Sequence, residues 1–208
     1  MDLQTWLTFV LASTALLLIP GPTVILVLSY ALSQGRRVAL ATVAGVALGD
    51  LVAMSLSLAG LGALVLASAT MFTVLKWIGA IYLIYLGFQL IRGAGDMRLG
   101  VSQTARSSAA GSVFRHAAIV TALNPKSIAF FIAFVPQFIA PKAAIPPQFA
   151  ILTATFVGLA ALNALLYALV ADGMRAQIGR PLVLAWLARA GGTALVAMGV
   201  LTAALRRA

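Results

Sequence analysis

The sequence contains no cysteine, no glutamate, a single histidine (His116) and only four acidic residues, all aspartate. The missing cysteine excludes disulfides, thiol redox chemistry and thiolate metal sites. One histidine is too few for a histidine-based metal site. Charge of either sign is scarce: 9% of the 208 residues are Asp, Glu, Lys or Arg, where a soluble globular domain carries about 25%. A water-soluble fold of this length could not cover its surface with so few charges.

What remains is apolar. Hydrophobic residues make up 62% of the chain, not counting the 18 glycines, enough for six membrane-crossing helices of about 20 residues each. The apolar runs predict spans at about Trp6–Leu32, Val38–Ala67, Phe72–Ile91, Val113–Ile139, Phe149–Ala171 and Leu182–Leu205. The first run lacks both the opening positive charge and the small-residue cleavage site of a signal peptide, so it reads as a retained helix. Turn formers and charges fall between the runs, at Ser33–Arg37, Gly93–Ser112, Pro141–Pro147 and Asp172–Pro181. The expected fold is therefore an all-α integral membrane protein.

The net charge of +10 invites comparison with nucleic-acid binders, but the basic residues are scattered between apolar stretches, as expected of residues that flank spans and set their orientation. With the N-terminus outside, nine basic residues face the cytoplasm: Arg36, Arg37, Arg92, Arg98, Arg106, Arg115, Arg175, Arg180 and Arg189. Four face outward, Lys76, Lys142, Arg206 and Arg207, and Lys126 lies within a span. The positive-inside rule favours this arrangement. Arg189 leaves about 16 apolar residues for the last span. An alternative with five spans, the last segment lying along the interface, thus stays open.

The two halves resemble each other. Gly21-Pro22 corresponds to Asn124-Pro125, Gly45 and Asp50 to Gly158 and Asn163, and Gly79 and Gly87 to Gly191 and Gly199. Three spans per repeat is an odd number, so the second copy enters the membrane from the opposite side. That is the inverted-repeat plan of secondary transporters. The expected organisation is a first repeat over 1–92, a cytoplasmic linker over 93–112 and a second repeat over 113–208.

Pro20-Gly21-Pro22 near the middle of the first span removes two backbone donors and should break the helix. Asn124-Pro125-Lys126 does the same in the fourth. Such breaks are either packing kinks or a binding site, where half-helix N-termini present unpaired N–H groups to an anion. The candidate substrate-binding residues are Pro20, Gly21, Pro22, Thr23, Asn124, Pro125, Lys126 and Asn163. Asp50 is the candidate for proton coupling or for holding a substrate amine. A carboxylate at that depth is costly if charged and alone, so it should face the bundle interior and be paired, protonated or both. Gly45 and Gly49 on its helix allow close packing against a neighbour. Lys126 has three candidate roles: pairing with Asp50, binding a substrate carboxylate, or snorkelling to the interface. His116 reads as an interfacial side chain, and Trp6, Trp77 and Trp186 as interface anchors. Tyr82, Tyr85 and Gln89 are polar enough to line a cavity or to join helices by hydrogen bonds.

Taken in order, Pro20-Gly21-Pro22, Gly35-Arg36-Arg37, Gly45, Gly49-Asp50, Asn124-Pro125-Lys126, Phe130-Phe131 and Pro136-Gln137-Phe138 resemble the LysE/RhtB superfamily of amino-acid exporters over essentially the whole chain. The resemblance is nearest to the RhtB branch, associated with homoserine, threonine and leucine export. It implies efflux of amino acids or related metabolites across the bacterial inner membrane, driven by the proton gradient, on a fold of three-helix repeats, with no cofactor. Related branches export lysine and arginine or handle cadmium, and the lack of cysteine counts against a thiol-dependent metal exporter. The partners so implied are an amino acid, protons and the bilayer, with a homo-oligomer left open. A channel and an intramembrane enzyme are the rival classes. A channel would show no coupling to pH, and an enzyme would need a nucleophile–base pair that these residues do not supply convincingly.

Overall fold

The computed structural model describes residues 1–19, 21–34, 36–67, 69–95, 109–140, 143–170 and 181–204. Pro20, Gly35, most of the 93–112 linker, Pro141-Lys142, Asp172 to Arg180 and Arg206-Arg207 lie outside the described residues, as do the side chains of Arg36, Arg37 and Lys76. Every regular element among the described residues is helical. In chain order these are α1 (Leu3–Leu18), α2 (Pro22–Gln34), α3 (Arg36–Ala67), α4 (Ala69–Arg92), α5 (Ala110–Ala122), α6 (Pro125–Ala133), α7 (Ile145–Val170) and α8 (Pro181–Ala204). Short 3-10 turns follow α4 at Gly93–Gly95 and α6 at Val135–Phe138.

Helix α1 starts at Asp2, whose carboxylate accepts from the Thr5 N–H at 2.8 Å and from the Thr5 hydroxyl at 2.8 Å. These bonds, the backbone one foremost, hold the Asp2 carboxyl below its ordinary value. The helix stops at Leu18 because the next residues are Ile19-Pro20-Gly21-Pro22. A residue before proline is driven out of the helical region, and Ile19 is extended at φ −69°, ψ 118°. The second break repeats this conformation: Asn124, before Pro125, has φ −67° and ψ 111°. Proline then stands at the first position of each following helix, where a missing N–H does no harm. The chain bends by 60° between α1 and α2 and by 44° between α5 and the segment Pro125–Phe138.

Val38–Gly60, Trp77–Gly95 and Ile145–Val170 are long and apolar enough to cross a membrane, and the two bent pairs raise the number to five if each is one span. The apolar part of α8, Ala188–Ala204, is shorter. Thus the segments expected as the first and fourth spans are each two helices, and the last expected span is not among the helices long and apolar enough to cross.

The helices are drawn together by glycine. Helix α3 runs along α5, and α4 along α8. A Cβ on Gly45 would meet the Phe114 carbonyl oxygen and, at 2.8 Å, the Ala117 Cβ; one on Gly49 would meet the Ala118 oxygen at 2.6 Å and the Thr121 Cβ at 2.7 Å. The small-residue pair on α3 therefore closes on α5. At the α4–α8 crossing the contacts are reciprocal. A Cβ on Gly87 would strike the Gly192 oxygen and Val196, while one on Gly199 would strike the Ala80 oxygen and Ile84. Gly79, Ala80, Ile84 and Gly87 have the same spacing as Gly191, Gly192, Val196 and Gly199, and the Gly87 and Gly199 contacts correspond with the halves exchanged, whereas Gly79 meets Ala133 and Gly191 meets Ile19. Gly158 does not follow its counterpart Gly45, since nothing lies within 4 Å of a Cβ there.

Helix α6 runs through the larger core. Phe130 and Phe131 pack on Phe156, the latter edge-on with ring centroids 4.8 Å apart, and Phe9 meets Phe138 at 5.3 Å. Leu16, Met54, Leu83 and Leu195 close this cluster. A second cluster, of Val24, Val27, Leu28, Val46, Ala117 and Ala164, joins α2, α3, α5 and α7. The two helix breaks lie where the clusters meet.

The glycine contacts predict opposite outcomes at two positions. Gly49→Leu should force α3 from α5 and destabilise the purified protein by about 1–3 kcal/mol, the usual effect of overpacking. Gly158→Ala should be neutral or stabilising by up to about 1 kcal/mol, because alanine is the better helix former and the space is open. Melting temperatures in detergent micelles decide this; equal shifts for both variants would contradict the packing described.

Candidate functional site

Broken helices leave backbone groups without partners, and within a bilayer each one costs several kcal/mol. The carbonyls of Leu16 and Leu18 would bond in an unbroken helix to the N–H groups of residues 20 and 22, which are prolines. Donors from the second half of the chain replace them. Lys126 Nζ donates to the Leu16 oxygen at 3.0 Å and to the Ile19 oxygen at 3.0 Å. Asn163 Nδ2 donates to the Leu17 oxygen at 3.1 Å, and the Tyr167 hydroxyl to the Leu18 oxygen at 3.2 Å. Four successive carbonyls at the end of α1 are thus held by three side chains. Asn163 and Tyr167 stand four residues apart on one face of α7. A cation belongs at this place also on electrostatic grounds, because a helix C-terminus carries partial negative charge.

The second break is closed more locally. Asn124 Oδ1 accepts from the Lys126 N–H at 3.1 Å, an N-cap, while Asn124 Nδ2 donates to the Thr23 hydroxyl at 3.1 Å. Thr23 Oγ1 also lies 3.4 Å from Thr121 Oγ1. These bonds tie the two breaks to each other. Gly21 lies against the Lys126 side chain: a Cβ there would be in ordinary contact with Nζ, at 3.5 Å.

Asp50 projects from α3 toward the same place and is 2% exposed. Its Oδ1 has no hydrogen-bond partner among the described residues. Lys126 Nζ, engaged with the α1 carbonyls, forms no direct ion pair with it; both line a cavity of about 20 Å³, together with Thr23, Asn124, Ser127, Asn163 and Tyr167. That volume holds about one water molecule. A larger cavity, about 270 Å³, opens on the other side of the breaks and is lined by Gly21, Pro22, Asn124, Pro125 and Lys126, with Gln89 of α4. Asn124 and Lys126 belong to both walls.

Of the sequence candidates, Gly21, Pro22, Thr23, Asp50, Asn124, Pro125, Lys126 and Asn163 all line one cavity or the other; Pro20 lies outside the described residues. Lys126 has a position that the sequence reading did not foresee, that of a cap on a helix of the first half of the chain. Tyr167 was not among the candidates, though its spacing from Asn163 carried the signal. Tyr85 is largely exposed and stacks with Tyr82 at 6.2 Å, away from both cavities. His116 Nδ1 lies 2.8 Å from the Tyr30 hydroxyl on an exposed face. Trp77 and Trp186 are exposed, and the Trp6 ring N–H donates to Thr155 at 3.0 Å.

Residues 14–206 match the model of the LysE type translocator family. The chain belongs to the LysE family. It is 36% identical over 208 residues to a homoserine/homoserine lactone efflux protein of Salmonella typhimurium, covering 100% of both chains. It is 34% identical to an uncharacterized membrane protein of Vibrio cholerae, covering 98% of each. A leucine efflux protein of Klebsiella pneumoniae is 32% identical over 141 residues, 68% of this chain and 66% of that one. No solved structure matches. These relatives lie on the RhtB-like side of the family. This LysE family member is a membrane translocator rather than an enzyme.

The capping network makes a stability prediction. Lys126→Met leaves the Leu16 and Ile19 carbonyls without their charged donor and should destabilise the protein by about 1.5–3 kcal/mol, with Lys126→Arg milder. Asn163→Ala and Tyr167→Phe should each cost about 0.6 kcal/mol, a typical value for hydrogen bonds between membrane helices. Thermal unfolding in detergent measures the series, and an unshifted Lys126→Met would show that the capping carries no stability.

Proposed function

We propose that this LysE family member exports amino acids or related metabolites across the bacterial inner membrane in exchange for protons, by alternating access. The observation that carries this reading is the buried Asp50 carboxyl with a free oxygen, set beside two helix breaks that are crossed by Lys126. An acid in that position has a use for a proton or for a substrate ammonium, and no structural partner at Oδ1 explains its presence. The named activities of the homoserine and leucine efflux relatives support an amino-acid cargo.

In this reading the substrate carboxylate sits at the first-turn N–H groups of α2 and α6, opened by Pro22 and Pro125. Thr23, Asn124 and Asn163 orient it. Lys126 supplies positive charge nearby while capping α1. Asp50 takes a proton from the outer side and releases it inward, and substrate and proton occupy the space by turns. The cavity at Asp50 is smaller than any amino acid, which fits a closed stage of such a cycle. The chain is arranged as six spans in two inverted repeats, 1–92 and 113–208, joined by a cytoplasmic linker over 93–112, with the N-terminus outside. The reciprocal α4–α8 crossing, the matched proline breaks and the nine basic residues on one side support this arrangement.

Two measurements test the proposal. In proteoliposomes, an imposed pH gradient should drive labelled leucine or homoserine flux in the wild type, and Asp50→Asn should lose the response to the gradient while retaining exchange at equal pH. Normal gradient-driven flux in Asp50→Asn would leave Asp50 a structural residue, and flux in the wild type indifferent to pH would favour a channel. For orientation, a cysteine at Ser102 of this cysteine-free chain should react with an impermeant reagent only after cells are opened; reaction in intact cells reverses the topology.

A further inference from the structure

The larger cavity is bounded by more than the helix breaks. Leu86, Gln89 and Leu90 from α4 and Leu195 from α8 form its far wall. Residues 86, 89 and 90 share one face of α4. Leu195 belongs to the buried core, and Leu86 and Leu90 pack against it. The wall is apolar except for one amide, and that amide, Gln89, is not hydrogen-bonded to any described residue. Gln89 is exposed, so its amide is open to whatever occupies the cavity, and something polar there would meet it.

The size and charge of the space restrict what that something is. A cavity of about 150 Å³ takes benzene; one of about 270 Å³ has room for an amino acid as large as leucine. Among the described residues of the lining, Lys126 is the only charged one and none carries a carboxylate. A second positive charge on a substrate side chain would therefore be repelled by Lys126 and unpaired, and a negative one would be buried against leucines.

We infer that the face formed by Leu86, Gln89, Leu90 and Leu195 is a side-chain subsite that selects amino acids with short uncharged side chains, Gln89 bonding a side-chain hydroxyl where one is present. This rests on the proposed amino-acid export and adds to it the residues that choose the cargo. The carboxylate of the substrate points toward Pro22 and Pro125, and its side chain toward α4 and α8. The leucines accept a branched aliphatic group, and the amide accepts the hydroxyl of homoserine.

The test is exchange of labelled leucine and labelled homoserine by purified full-length protein in proteoliposomes at equal pH on both sides, so that proton coupling plays no part. Wild type should exchange both, and unlabelled lysine should compete poorly. Gln89→Leu should lower homoserine exchange relative to leucine by about three- to tenfold, the loss of one hydrogen bond. Gln89→Glu should let lysine compete, a gain that mere structural damage does not produce. An unchanged homoserine-to-leucine ratio in Gln89→Leu overturns the subsite and leaves export untouched. If Gln89→Leu does not assemble, Gln89→Glu decides alone, and continued exclusion of lysine overturns the subsite. A wild type that exchanges no amino acid overturns both the subsite and the proposed export.

Discussion

Everything around the two breaks follows from one requirement: inside a bilayer a backbone carbonyl must have a donor. Two prolines take the donors away from the end of α1, and the chain supplies them again from a distance of more than a hundred residues, through Lys126, Asn163 and Tyr167. The first half of the molecule is thereby incomplete without the second. The bonds also fix where the positive charge of Lys126 rests, at the negative end of a helix, close to but not on Asp50. The same need thus brings the Lys126 ammonium onto the wall of the small cavity that Asp50 also lines.

Close packing comes from another source. Lipid tails are as apolar as leucine, so helices in a bilayer gain little from burying hydrocarbon against each other and depend on near contact. Glycine permits it on α3 and at the α4–α8 crossing, where backbone oxygens occupy the space that a Cβ would take. At the α4–α8 crossing the Gly87 contacts with Gly192 and Val196 mirror those of Gly199 with Ala80 and Ile84. The two helices of that crossing also contribute Leu86, Gln89, Leu90 and Leu195 to the larger cavity.

The polar residues of this LysE family member are few and are used more than once. Asn124 caps α6 and binds Thr23; Lys126 caps α1 and faces both cavities. Such sharing couples the local structure of the breaks to whatever occupies them. Any movement that releases Lys126 from Leu16 and Ile19 also exposes carbonyls, and a translocator that opens by turns to each side needs an element with two arrangements of this kind.

The sequence by itself determined the all-helical membrane character, because a chain with 9% charged residues and long apolar runs has no other way to satisfy its backbone. It determined the two breaks as well, since proline cannot donate and drives the residue before it out of the helix. It also marked Asp50 as a residue that needs a reason, and Gly45 and Gly49 as a packing face. Partners were another matter. Which carbonyls Lys126 would meet, that Tyr167 would join Asn163 and that Gly158, among the described residues, would have no close neighbour were decided only by the tertiary structure. Periodicity and proline act within a few residues along the chain, whereas a hydrogen bond between α6 or α7 and the end of α1 depends on how the helices cross, and that is set by side chains far apart in sequence.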